Sequence, residues 1–269
     1  MKAMAEALIY SLIVGVAVGF SAGYLGSIMV LEKMALVGDA LSHVALPGLA
    51  LGIILGFNPL LGGFVFLFVS SIIIWQIGRV TKLSFEAIVG AAFTLSLAVG
   101  ILMISDLEAL TEALFGDVAS VTLIDAAAGI FVAVVAVFLT RAIYSKIVLS
   151  IISEELAISE GVNVARVNLL FLLLVSMVVA IGIKITGTLL VGFLVVVPAA
   201  AAKNLSANLS KYALLSSVFG AVSALAGILL AGFFSYLSNP PPPGPLVVIA
   251  GVTIFAVTVL VRWKKRISV

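Results

Sequence analysis

The sequence contains no cysteine and a single histidine, His43, in 269 residues. The first absence excludes a disulfide scaffold, a thiolate metal site and a cysteine nucleophile. The second excludes the paired histidines of an H-E-x-x-H zinc protease. No G-x-x-x-x-G-K-[ST] loop occurs, so nucleotide hydrolysis must come from another polypeptide. Charge is scarce too: 10% of residues are charged, where a soluble domain carries about 25%. That is too little to cover a water-facing surface.

What is present is apolar. Hydrophobic residues make up 64% of the chain, and the mean hydropathy is +1.38. The solvent is lipid, and nothing in the composition calls for nucleic acid. Nine stretches approach the roughly 20 apolar residues that a membrane-spanning helix needs. They are Ala7 to Leu31, Leu36 to Gly56, Leu60 to Gly78, Glu86 to Ser105, Val121 to Arg141, Asn168 to Ile183, Thr188 to Ala202, Tyr212 to Leu237 and Leu246 to Trp263. The sixth and seventh are cramped, so eight full spans with a re-entrant segment is the alternative count. The expected fold is an all-α, polytopic membrane bundle, with residues 1–269 forming one transmembrane domain.

Arg262, Lys264, Lys265 and Arg266 follow the last span and place the carboxyl end in the cytoplasm by the positive-inside rule. Counting back through nine spans puts Lys33, Arg79, Lys82, Arg141, Lys146, Arg166, Lys203 and Lys211 on that side as well. Only Lys2 and Lys184 fall opposite. The amino terminus is then outside, the first apolar stretch is a retained span, and the acids Asp106, Glu108, Glu112 and Asp117 share one outer loop.

Gly15, Gly19 and Gly23 recur every fourth residue in the first span, as do Gly48, Gly52 and Gly56 in the second. Small residues at that spacing make a smooth face along which helix backbones approach closely. The match of residues 19–23 to G-x-S-x-G is fortuitous, because a nucleophile elbow needs a strand-to-helix turn.

The anomaly is Asp39 and His43 at the start of the second span. The i, i+4 spacing stacks the two side chains on one helical face, and ionisable groups in a membrane are costly enough to be a functional hypothesis by default. Three readings stand: an Asp–His hydrogen bond that is purely structural, a proton relay, and a transit site for a divalent metal. Imidazole suits Zn, Fe or Ni, and carboxylate also suits Mn. Two ligands make an incomplete cage, which suits an ion that must be released. Pro47, one turn further on, frees a carbonyl or bends the helix, and Pro198 is expected to kink its own span.

The run Glu32-Lys33-Met34-Ala35-Leu36-Val37-Gly38-Asp39-Ala40-Leu41-Ser42-His43-Val44-Ala45-Leu46-Pro47-Gly48 closely resembles the signature segment of the ABC-3 family, the permeases of zinc and manganese ABC importers. The likeness continues in residues 154–164, 184–191 and 197–200. It implies a homodimeric permease of the type II importer group, working with a cytoplasmic ABC ATPase dimer and an extracytoplasmic metal-binding protein. Zinc or manganese would be cargo, with no permanently bound cofactor, and Asp39 and His43 would line the metal pathway. Pro240-Pro241-Pro242-Pro243-Gly244-Pro245 is richer in proline than the family pattern.

Residues 142–167 read as the longest cytoplasmic connection. In it Ser153 caps a short helix that has Glu154 and Glu155 in its first turn and ends near Gly161. Glu155, Ala157 and Gly161 resemble the E-A-A-x-x-x-G pattern of ABC permease coupling loops, and Glu154 and Glu160 flank them. The competing class, a proton- or sodium-coupled secondary transporter, needs internal repeats and several midplane carboxylates. The sequence offers only Asp39.

Overall fold

A computed structural model describes residues 2–81, 83–104, 111, 113–116, 121–188, 191–234 and 241–267, and among these there is no strand. In chain order the helices are α1 (Lys2–Leu31), α2 (Ala35–Val44), α3 (Leu46–Leu55), α4 (Pro59–Val80), α5 (Phe85–Met103), α6 (Leu123–Ile152), α7 (Glu154–Ser159), α8 (Val164–Thr186), α9 (Val191–Leu205), α10 (Leu209–Phe234) and α11 (Pro243–Ile267). Among the described residues, eight segments are long and apolar enough to cross a membrane, α2 and α3 counting together as one. The ninth apolar stretch is α9. Its length is about 22 Å at ~1.5 Å per residue, short of a hydrocarbon core of about 30 Å.

The first glycine ladder faces α10. Gly15 meets Ile228, Gly19 meets the Gly220 carbonyl, and Gly23 meets Ser216. The Ser216 hydroxyl donates to the Gly23 carbonyl at 2.5 Å. A Cβ at Gly19 or at Gly220 would overlap the backbone opposite, so α1 and α10 touch main chain to main chain. Dispersion and such buried hydrogen bonds hold helices together where lipid supplies no hydrophobic drive.

The second ladder splits. Gly48 packs on the Gly62 carbonyl and Gly52 on Pro59, both of α4, but Gly56 has no neighbour within 4 Å of an added Cβ. At φ +71° Gly56 is the left-handed cap that ends α3, and its N–H donates to the Ile53 carbonyl. It is a terminator rather than a packing position.

Pro47 opens α3 in its first turn, so the second span is two short helices meeting at Ala45. The His43 carbonyl thereby loses its ordinary i+4 donor, because proline has no N–H. Pro198 lies buried inside α9. In the proline run, Pro243 and Pro245 form the first turn of α11, where missing N–H groups cost nothing.

Side-chain ties show which helix ends lie together. Trp75 Nε1 of α4 donates to the Ala165 carbonyl at the start of α8, and Arg79 stacks over the Trp75 ring at 4.8 Å. Arg262 of α11 donates to Asn204 near the end of α9. The helix ends that carry Arg79 and Arg166 are thus tied together, as are those that carry Lys203 and Arg262.

Candidate functional site

The site is built on α2, which packs against α9, α5 and α8. Val37, Gly38, Leu41, Ser42, His43 and Val44 are buried, while Asp39 is half-buried. Two missing side chains permit the close approach of α9. Gly38 sits on the Val195 side chain, and a Cβ at Gly192 would overlap Asp39 itself. Ser42 then fixes α2 laterally: its hydroxyl lies 2.5 Å from the Thr188 carbonyl at the turn before α9, and 2.6 Å from the Asp39 carbonyl.

His43 is 5% exposed, with its ring tilted edge-on to Phe93 of α5 at 5.1 Å between centroids. Its Nδ1 has no hydrogen-bond partner among the described residues. Asp39 and His43 do not hydrogen-bond to each other. An unpartnered buried nitrogen is costly in a membrane interior, and a cation is one partner that satisfies it. Among the described residues no group of three or more His, Cys, Asp or Glu side chains converges, so no third such side chain joins Asp39 and His43.

The carboxyl end of α8, just before Thr188, holds a pair that the sequence reading missed. Lys184 Nζ of α8 bonds Asp125 Oδ2 of α6 at 2.6 Å, with side-chain exposures of 20% and 25%. The same oxygen accepts from the Thr122 N–H and hydroxyl, closing a capping box at the start of α6. Lys184, placed by the sequence opposite most other basic residues, is thus ion-paired, and Thr122-x-x-Asp125 was a local signal for Asp125 alone. We expect Lys184→Met to lower stability by about 1–3 kcal/mol, since it removes a charged hydrogen bond. A double-mutant cycle with Asp125→Asn, followed by unfolding in detergent, should return a coupling of about 1 kcal/mol. Strict additivity would mean that the pair contributes nothing.

Glu32, between α1 and α2, was also unremarked. It lines a cavity of about 400 Å³ with Arg79, Glu154 and Asn168. Burial pushes its carboxyl up from 4.5 to about 7.

The 142–167 connection is mostly helix. α6 continues past Arg141 to Ile152, and the break falls at Ser153, whose side chain accepts from the Leu156 N–H. In α7 Ala157 is fully buried, while Glu154, Glu155, Leu156 and Ile158, and Glu160 just after the helix, are exposed. Gly161, at φ +77°, ends it by donating to the Ile158 carbonyl. The outer acids Asp106, Glu108, Glu112 and Asp117 lie outside the described residues.

Eight apolar spans with one ionisable pair set into a broken helix, and a short exposed helix between two spans, define a multi-pass membrane permease. The chain belongs to the ABC 3 transport family, whose model matches residues 3–262. It is 32% identical to the manganese transport system membrane protein MntC of Listeria monocytogenes, over 91% of this chain and 87% of that one. It is 27% identical to the high-affinity zinc uptake system membrane protein ZnuB of Haemophilus influenzae, over 96% of this chain and 99% of that one. The solved structure of PsaBC from Streptococcus pneumoniae in complex with Fab superposes with a TM-score of 0.81 at 28% identity, covering 94% of this chain and 90% of that chain. Membership makes this chain a multi-pass inner-membrane transport subunit of an ABC importer, not an enzyme. ATP hydrolysis falls to a separate subunit, and a substrate-binding partner belongs to the same system.

Proposed function

We propose that this chain imports zinc or manganese, and that the ion passes Asp39 and His43 on its way inward. The observation that carries the reading is the buried, unpartnered Nδ1 of His43 one helical turn from a half-buried carboxylate. Asp39 lowers the cost of bringing a divalent cation out of water, and the imidazole supplies a directional ligand. A set of two protein ligands leaves coordination positions for water or for a second subunit, so binding stays weak enough for release. Relatives named for manganese and for zinc transport support both cargoes.

In this reading the permease works as a homodimer, because a two-fold axis supplies the ligand pair twice. The basic helix ends face the cytoplasm, with the amino terminus outside. Helix α7 docks in the ATPase: Leu156 and Ile158, 47% and 59% exposed, offer an apolar contact rimmed by Glu154, Glu155 and Glu160.

Two measurements test the proposal. In proteoliposomes holding the chain with its ATPase, uptake of labelled zinc or manganese should require ATP. Uptake driven by a proton or sodium gradient without ATP would overturn it in favour of a secondary transporter. Glu155→Lys should reduce co-purification of the ATPase about tenfold or more by reversing a contact charge, with no loss of folded protein since Glu155 is exposed. Unchanged co-purification would remove α7 from the interface.

A further inference from the structure

Between α1 and α6 runs an open groove of about 800 Å³. Val16 and Phe20 line one wall, and Ile130, Val134, Phe138 and Arg141 line the other. Every lining residue but Arg141 is apolar, and none belongs to α2, α5 or α9, so the groove is separate from the Asp39–His43 site.

Its dimensions match half of a bilayer. From Ile130 to Arg141 the rise along α6 is about 16 Å at ~1.5 Å per residue. One leaflet of a ~30 Å hydrocarbon core is about 15 Å deep. The Tyr24 and Tyr144 rings, 6.4 Å apart, close α1 against α6 just beyond Arg141, so the guanidinium stands where the apolar groove ends. Arg141 is exposed and has no hydrogen-bond or ion-pair partner among the described residues.

We propose that this groove binds one anionic phospholipid, with an acyl chain between α1 and α6 and the phosphate on Arg141. Charge decides the occupant. A guanidinium forks onto phosphate oxygens, and at the edge of the hydrocarbon a phospholipid phosphate lies at that depth. A second copy of this chain is disfavoured, because a two-fold axis along the membrane normal would bring another Arg141 to the same level. No carboxylate lines the groove to neutralise the pair. The positive-inside orientation puts Arg141 in the leaflet richer in anionic lipid.

The test reconstitutes the full chain in bilayer discs containing phosphatidylglycerol and phosphatidylcholine in equal amounts, then counts the lipids retained on extraction by mass spectrometry. Retention should favour phosphatidylglycerol about fivefold, the effect of one basic side chain at an anionic surface. Arg141→Gln should bring the two lipids to parity, and Arg141→Lys should keep most of the preference. Val134→Trp, at a position 62% exposed and so tolerant of bulk, should fill the groove and release the bound lipid. Equal retention of both lipids by the unaltered chain, or a preference surviving Arg141→Gln, would overturn the proposal. So would efficient disulfide dimerisation of Val134→Cys, unambiguous in a chain without other cysteines, since it would put a second copy in the groove.

Discussion

Asp39→Ala and His43→Ala should each reduce ATP-driven uptake of zinc and manganese by on the order of 100-fold, the upper range for groups that support a metal site only indirectly. Neither should remove the chain from the membrane, because eight apolar spans fix insertion. The two losses have different roots. Without Asp39 the cation enters the bundle with no compensating charge, a large desolvation cost. Without His43 the charge remains but the directional nitrogen is gone. His43→Ala also leaves a gap beside Phe93, so His43→Gln, which keeps volume and a polar end, separates ligand loss from packing loss. ATPase association should be intact in all three variants. Uptake indifferent to both positions would sink the proposed path while leaving family membership untouched.

Gly19→Leu should be severely damaging to the packing, lowering stability by about 3 kcal/mol or preventing α1 and α10 from docking. Even the first carbon of a side chain at Gly19 would overlap the Gly220 carbonyl, and backbone cannot turn aside as a flexible side chain can. Separating the helices would also break the Ser216 bond to the Gly23 carbonyl, so the damage spreads along the contact. Gly90→Ala in α5 is the matched control. Nothing lies within 4 Å of an added Cβ there, so better helix propensity should make it neutral or stabilising by up to ~1 kcal/mol. Unfolding of detergent-solubilised protein measures both. Equal effects would mean that the Gly19 contact is not a close packing point.

Much of the architecture was legible because lipid imposes it. A backbone that cannot bond to water must be helical across the membrane, so apolar run length by itself locates spans. Over the described residues each of the nine predicted stretches is mostly helical, although the second is split into α2 and α3, α6 runs on to Ile152 and α11 begins within the prolines. Asp39 and His43 stood out for the same reason, as ionisable groups where lipid penalises them. The short helix α7 was readable from its cap and its closing glycine, both local signals.

What the sequence could not supply was any fact about which faces meet. Gly56 shares the spacing of Gly48 and Gly52 yet ends a helix, because periodicity records a face and not its partner. Lys184 and Asp125 lie on different helices, with no local pattern joining them. The closeness of Gly192 to Asp39 and the tie from Ser42 to Thr188 exist only once α9 is laid against α2. Composition and run length settled that the chain spans the membrane and which ionisable residues are out of place there. Only the tertiary packing decided that His43 keeps a nitrogen free, because that depends on the helices around it.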